Sequence, residues 1–184
     1  VVDPLDGTRN YAHGIPHFCT IIALAKDDHI IAGVTYDPVR EEMFTAEEGK
    51  GAFLNGAPIK ASETTELSRS LLCCDLGYVD EKAGYALDLI RSLWPDMYSV
   101  RFMGSSGLGL AYAAAGRVDL YFHHSLMPWD LATGLVLAQE AGAKVVDRQG
   151  NQGALFTPSV IVSNPLLVEE FLRTTDGQPW RTAG

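Results

Sequence analysis

Apolar and polar positions alternate with a period near two over the first third of the chain. Thr20 to Ala25 and Ile30 to Tyr36 are rich in β-branched residues, side chains that suit a pleated, half-buried surface. Lys26-Asp27-Asp28-His29 separates them as a hairpin loop. Glu42 to Ala46 and Gly51 to Leu54 continue the alternation. Asn55-Gly56 is a type I′ turn signal, because both central residues of that turn need positive φ. The pattern predicts an antiparallel meander.

Beyond the polar stretch from Ser62 to Ser70 the pattern changes. Leu71 to Asp75 predicts a strand, Asp80 to Trp94 a helix stopped by Pro95, and Tyr98 to Phe102 another strand. Ser105 to Ala115 predicts a small-residue helix capped by Gly116, with Val118 to Phe122 as the following strand. Leu131 to Ala141 predicts a helix ending at Gly142. Lys144 to Asp147 and Val160 to Ser163 predict the last strands, and Asn164-Pro165 opens a helix to about Thr174. The tail from Thr175 to Gly184 is expected to be loosely held. A β-rich front part, 1–66, followed by alternating strands and helices, 67–184, predicts an α/β layered protein.

Composition narrows the function classes. The chain has 184 residues, 47% hydrophobic and 20% charged, enough apolar material for a sizeable core. Its net charge is −9, with 23 acids against 14 bases, which argues against a nucleic-acid polymer as partner, since phosphate neutralisation needs clustered cations. No apolar run approaches the roughly 18 residues of a membrane helix, so no membrane association is expected. Cys19, Cys73 and Cys74 are odd in number and two are adjacent, pointing to opposite strand faces. They predict neither a disulfide framework nor a zinc cage, and a reduced, cytoplasmic compartment. The chain opens at Val1 without Met or a signal-like segment, and upstream sequence is expected.

The chemistry is concentrated in the first ten residues. Asp3 and Asp6 stand three apart, Pro4 holds Asp3 extended, and Gly7 permits a tight turn directly after Asp6. A strand ending in such a turn can aim both carboxylates, and the Leu5 carbonyl, into one small volume. Converging carboxylates need a cation, and all-oxygen ligands suit Mg²⁺, Mn²⁺ or Ca²⁺. The Gly7 and Thr8 amides, opening a helix, would face an anion such as phosphate. For an isolated D-x-x-D-G a plain surface turn is the commoner outcome.

The run Asp3-Pro4-Leu5-Asp6-Gly7-Thr8-Arg9-Asn10 resembles the signature of the inositol monophosphatase family, which is related to the fructose-1,6-bisphosphatases. Downstream, Pro128-Trp129-Asp130-Leu131-Ala132-Thr133-Gly134 and Gln139-Glu140-Ala141-Gly142 resemble the family's W-D-x-A-x-G and E-A-G-G stretches, with Ala143 in place of the last Gly. Gly49 to Ile59 is similar to its Leu-Asn-Gly segment, and Gly104-Ser105-Ser106 to its substrate loop. The likeness runs from Val1 to about Asn164. It implies the layered sugar-phosphatase fold, lacking an N-terminal portion, with an incomplete first sheet layer.

The resemblance also implies roles. Asp3 matches the carboxylate that bridges two metals, Leu5 the donor of a main-chain carbonyl, and Asp6 and Asp130 the carboxylates of the second metal. Gly7 and Thr8 match the phosphate-holding amides, and the Thr8 hydroxyl orients the attacking water. Gly104, Ser105 and Ser106 fall on the substrate side. The implied activity is a Mg²⁺-dependent (alternatively Mn²⁺-dependent), lithium-sensitive phosphomonoesterase that activates water with two metals. Its partner would be a small polyol or sugar phosphate, and homodimers are common in the family. By position alone Asp130, just before an apolar-periodic run, reads as a helix N-cap.

Two departures bear on this reading. The family's Glu-Glu motif, which supplies a further metal carboxylate, lies upstream of the D-P-x-D stretch and is not in this sequence. Seven residues before the W-D aspartate, where inositol phosphatases place a Glu that contacts inositol hydroxyls, this chain has His123. Histidinol phosphate, fructose-1,6-bisphosphate and a nucleotide 3′-phosphate therefore stay open as substrates, with a non-catalytic metal- or phosphate-binding module as the alternative class. His13 and His17 flank Gly14 and Pro16 and read as loop residues. Tyr112 and Tyr121 read as core, and Arg101 and Arg117 as surface.

Overall fold

The front of the chain is a meander in a computed structural model that describes residues 1–77 and 80–182. Strands β1 (Val2–Asp6), β2 (Cys19–Lys26), β3 (His29–Asp37), β4 (Glu42–Glu47), β5 (Gly51–Leu54) and β6 (Ala57–Pro58) form a sheet whose spatial order is the chain order. Every neighbour is antiparallel. The two-residue hairpin turns take left-handed backbone, at Asp27 and Asp28 (φ 50 and 64) and, as the Asn-Gly signal predicts, at Asn55 and Gly56 (φ 48 and 81). A short helix, α1 (Thr8–Ala12), leaves β1 at Gly7.

The second sheet joins β7 (Leu71–Cys74), β8 (Ser99–Arg101), β9 (Leu120–His123), β10 (Lys144–Val146) and β11 (Val160–Ser163) in the order β10-β11-β9-β7-β8. Strand β7 runs parallel to β8 and β9, while β9, β11 and β10 are antiparallel. Helices α3 (Ser106–Ala114) and α4 (Pro128–Glu140) lie between the sheets. Helices α2 (Asp80–Leu93), α5 (Pro165–Thr174) and α6 (Pro179–Thr182) cover the far side. The result is a layered α/β fold with two cores. Cys73 faces the inner core and Cys74 the outer one, as adjacent strand residues must.

The middle layer is thin because its helices carry glycine where they touch. A Cβ on Gly107 would lie 2.5 Å from Ile21 of the first sheet, and one on Gly109 would lie 2.3 Å from the Tyr121 ring of the second. One on Gly134 of α4 would meet Leu110 of α3 at 2.6 Å. Such close approach needs the missing side chain.

Three expectations change. Helix α4 starts at Pro128 with Met127 as its N-cap, so Asp130 sits at the third helical position and is not the cap. Strand β9 starts at Leu120, because the Arg117 amide still bonds Tyr112 O at 2.9 Å to close the end of α3. The tail is packed through Thr182: Trp180 is buried edge-on to Phe122, with ring centroids 5.3 Å apart. A single large apolar residue gives no periodic signal, and 183–184 lie outside the described residues. Arg117 lies at the surface, as its sequence reading has it, but is paired there. It grips Glu42 through two 2.6 Å bonds and stacks 4.9 Å from the Tyr112 ring centre. Among the described residues no helix is long and apolar enough to cross a membrane.

Candidate metal centre

Strand β1 ends at Asp6, and Gly7 (φ 81) turns the chain at once into α1. A Cβ at Gly7 would stand 3.0 Å from His17 O, so glycine is required both by conformation and by space. The turn directs Asp3 and Asp6 to the same side, and the first turn of α4 brings in Asp130. Carboxylate oxygens of the three lie within 4.8 Å of one another.

Each carboxylate is held through one oxygen. Asp3 Oδ1 accepts the Leu5 amide at 3.0 Å, and Asp130 Oδ2 accepts the Met127 amide at 2.9 Å. Asp6 Oδ2 accepts the Ser105 hydroxyl, the Gly107 amide at 2.9 Å and, at 3.5 Å, the Cys19 thiol. Burial, reinforced by Asp6 and Asp3, pushes the Asp130 pKa up to about 6. Burial likewise raises that of Asp6, with Asp3 adding to it. Three pinned, mutually repelling oxygen donors fit a hard divalent cation, whose charge offsets both the repulsion and the desolvation.

The other sequence candidates fall into three groups. Leu5 O accepts the exposed Thr8 hydroxyl at 2.8 Å, so these two are coupled beside the cluster. Ser105 is buried and caps α3 with its hydroxyl turned to Asp6, while exposed Gly104 (φ 78) precedes it. Ser106 reaches the Tyr121 hydroxyl. His123 contacts none of the three carboxylates. It is buried at the end of β9, its ring stacked on His124 with centroids 5.0 Å apart, and its Nδ1 accepts the Ser125 amide at 2.9 Å. Nε2 therefore carries the hydrogen in the neutral ring. Burial lowers the His123 pKa to about 3 and that of His124 to about 4.

Sequence reasoning gave no role to Asn10, Cys19 or Asp75. Asn10 lies in the motif itself; its Nδ2 donates to His17 O at 2.8 Å and Met103 O at 2.7 Å. Asp75 follows a parallel strand, β7, at the carboxyl end where open α/β sheets place their sites. That signal is visible only once the strand pairing is known.

Fold and site together define a layered α/β protein in which three carboxylates form an all-oxygen cluster fit to hold a cation. Comparison with known proteins narrows the class: residues 1–178 match the model of the inositol monophosphatase family. The chain belongs to that family. It is 38% identical over 174 residues to the inositol-1-monophosphatase of Mesorhizobium japonicum, covering 94% of this chain and 65% of that protein. It is equally, 38%, identical over 175 residues to the Nus factor SuhB of Escherichia coli K12, covering 94% and 65%. The structure of SuhB from Bartonella henselae aligns with a TM-score of 0.90 at 35% identity, over 96% of this chain and 68% of that one. The inositol monophosphatase of Anabaena gives 0.89 at 36%, over 97% and 71%. The chain thus spans about two thirds of the length of the curated relatives it matches.

Proposed function

We propose that the whole protein is a Mg²⁺-dependent phosphomonoesterase, with Mn²⁺ as a substitute, acting on a small polyol or sugar phosphate. One observation carries this: in a chain of the inositol monophosphatase family, carboxylate oxygens of Asp3, Asp6 and Asp130 converge to within 4.8 Å of one another. Those three carboxylates, with the Leu5 carbonyl, would hold the cation. When bound, it supplies positive charge that polarises a phosphoryl group and offsets charge on the departing alkoxide.

The chain's own residues supply position. Gly7 opens the turn that leaves the start of α1 beside the carboxylates, and Thr8 presents its hydroxyl there while bonded to Leu5 O. His123, neutral and hydrogen-bearing at Nε2, supplies no negative charge where inositol phosphatases carry Glu. Being 2% exposed, His123 does not decide the ester, and the polyol reading is supported instead by the relative named inositol-1-monophosphatase.

The test is phosphate release by the whole protein from inositol-1-phosphate, histidinol phosphate, fructose-1,6-bisphosphate and a nucleotide 3′-phosphate, with and without Mg²⁺ and then with Li⁺. Mg²⁺-dependent, Li⁺-sensitive release led by the polyol ester is expected. Relatives of equal identity bear the name Nus factor SuhB, which supports a second reading as a binding protein. Mg²⁺ binding without release of phosphate from any ester would favour it.

A further inference from the structure

Asp75 follows directly on β7 and is 6% exposed. No ion pair among the described residues includes it, and burial raises its pKa. Keeping a carboxylate there is costly unless its hydrogen bonds matter. Its Oδ1 accepts the Met103 amide at 2.9 Å and the Gly104 amide at 2.6 Å; Oδ2 faces the Tyr121 hydroxyl at 3.4 Å.

The same two residues are held from the other side. Asn10 Nδ2 donates to Met103 O at 2.7 Å and Gly104 O at 3.3 Å. Gly104 has φ 78, and a Cβ there would press on Asn10 Nδ2 at 3.1 Å. The 103–104 peptide unit is therefore fixed on both sides, its amide by Asp75 and its carbonyl by Asn10, and the units before and after it are each held at one end. The next residue is Ser105, whose hydroxyl donates to Asp6 Oδ2, and two positions further the Gly107 amide donates to the same oxygen. Asn10 stands four residues after Asp6, so the contacts close a ring: Asp6, α1, Asn10, the 103–104 turn, Ser105, and back to Asp6.

We propose that Asp75 is a positioning residue of the cation site: by bracing the Met103 and Gly104 amides it sets where Ser105 meets Asp6, and hence how Asp6 presents its remaining oxygen. The proposal rests on the metal-dependent reading of the three carboxylates. It touches neither substrate nor cation; it acts through Ser105.

The test is a mutant cycle in the whole protein, read as Mn²⁺ affinity from the electron paramagnetic resonance of free Mn²⁺, with phosphate release measured alongside. Asp75→Ala and Ser105→Ala should each weaken Mn²⁺ binding about tenfold, the scale typical of groups that orient metal ligands. The double variant should lose little more than the worse single one, because both break one line of contacts. Asp75→Asn, whose Oδ1 can accept the same amides, should recover most of the affinity. Should Asp75→Ala not fold, Asp75→Glu replaces it: the charge stays, the carboxylate moves by one methylene, and the same loss is expected. Mn²⁺ affinity within about twofold of the parent in the Asp75 variant, or losses that multiply in the double variant, would overturn the proposal and leave Asp75 a purely structural residue. A parent protein that binds no Mn²⁺ would overturn the metal reading as well, and so tells the two failures apart.

Discussion

Asp130 uses one oxygen for the Met127 amide, and its carboxylate lies within 4.8 Å of those of Asp3 and Asp6. Asp130→Asn keeps an acceptor for that amide and removes one of three clustered charges. The metal-free fold should therefore melt no lower than the parent, while Mg²⁺-dependent turnover falls on the order of a hundredfold or more; calorimetry and phosphate release check the two halves. His124 supplies a second prediction. Both its ring nitrogens are buried without partners among the described residues, and its pKa is lowered to about 4 from an ordinary 6.5. Between those values the unfolded chain binds the proton and the folded one does not, so stability is lost as pH falls from 6.5 through 4. His124→Met should flatten that acid limb and add about 1 kcal/mol at neutral pH, read from urea unfolding across pH. At this scale the carboxylate cluster was legible, since Asp3, Asp6 and Asp130 sit in local motifs. Their supports were not: Asp6 meets Ser105 and Gly107 across 99 and 101 residues, and nothing local announces such a meeting. The Asp130 cap was misjudged because Pro128-Trp129 gives no apolar period, although Pro at the first helical position is a start signal.

Among the elements, strands β2 to β5 of the first sheet were read to within a residue at each end, while the two-residue β6 was not read. One of its faces is buried and the other is not, as in β2, where Cys19, Ile21 and Ala23 go inward and Ile22 and Leu24 outward. Strands β9 and β11 are buried throughout, and such strands give short apolar runs without alternation. Helix α3 was legible as a helix but not as a central layer, because a helix apolar all round has no face to read. Its glycines show what that position demands. Gly109→Ala puts a methyl against Tyr121, which is fully buried and cannot yield, and should cost about 1–3 kcal/mol. Gly84→Ala in α2 meets nothing within 4 Å and should instead stabilise by roughly 0.5–1 kcal/mol through helix propensity. The same substitution therefore changes sign with the layer, and paired urea titrations read the difference directly. Glu140 shows a related device: its carboxylate accepts the Gly49 and Gly51 amides at 2.8 and 2.7 Å, tying the end of α4 to the turn between β4 and β5.

For the molecule as a whole, the two cores use both faces of the second sheet but only one face of the first. The other face of the meander carries Val2, Ile22 and Leu24, 57%, 53% and 60% exposed, and beside them Tyr36 and Met43. Register makes these neighbours: Val2 stands opposite Ile22, and Tyr36 opposite Met43. Scattered apolar residues are ordinary on a surface, but a contiguous set across paired strands is a site of association. Residues 1–184 in solution are therefore expected to associate with themselves as concentration rises. Ile22→Lys with Leu24→Lys should leave the fold intact, since both side chains point away from the core, and should shift the equilibrium toward the smallest species. Sedimentation velocity over a dilution series reads both effects. A sedimentation coefficient that neither concentration nor the two lysines moves would mean that water alone covers this face, and that the apolar set is held apart by the twist of the sheet.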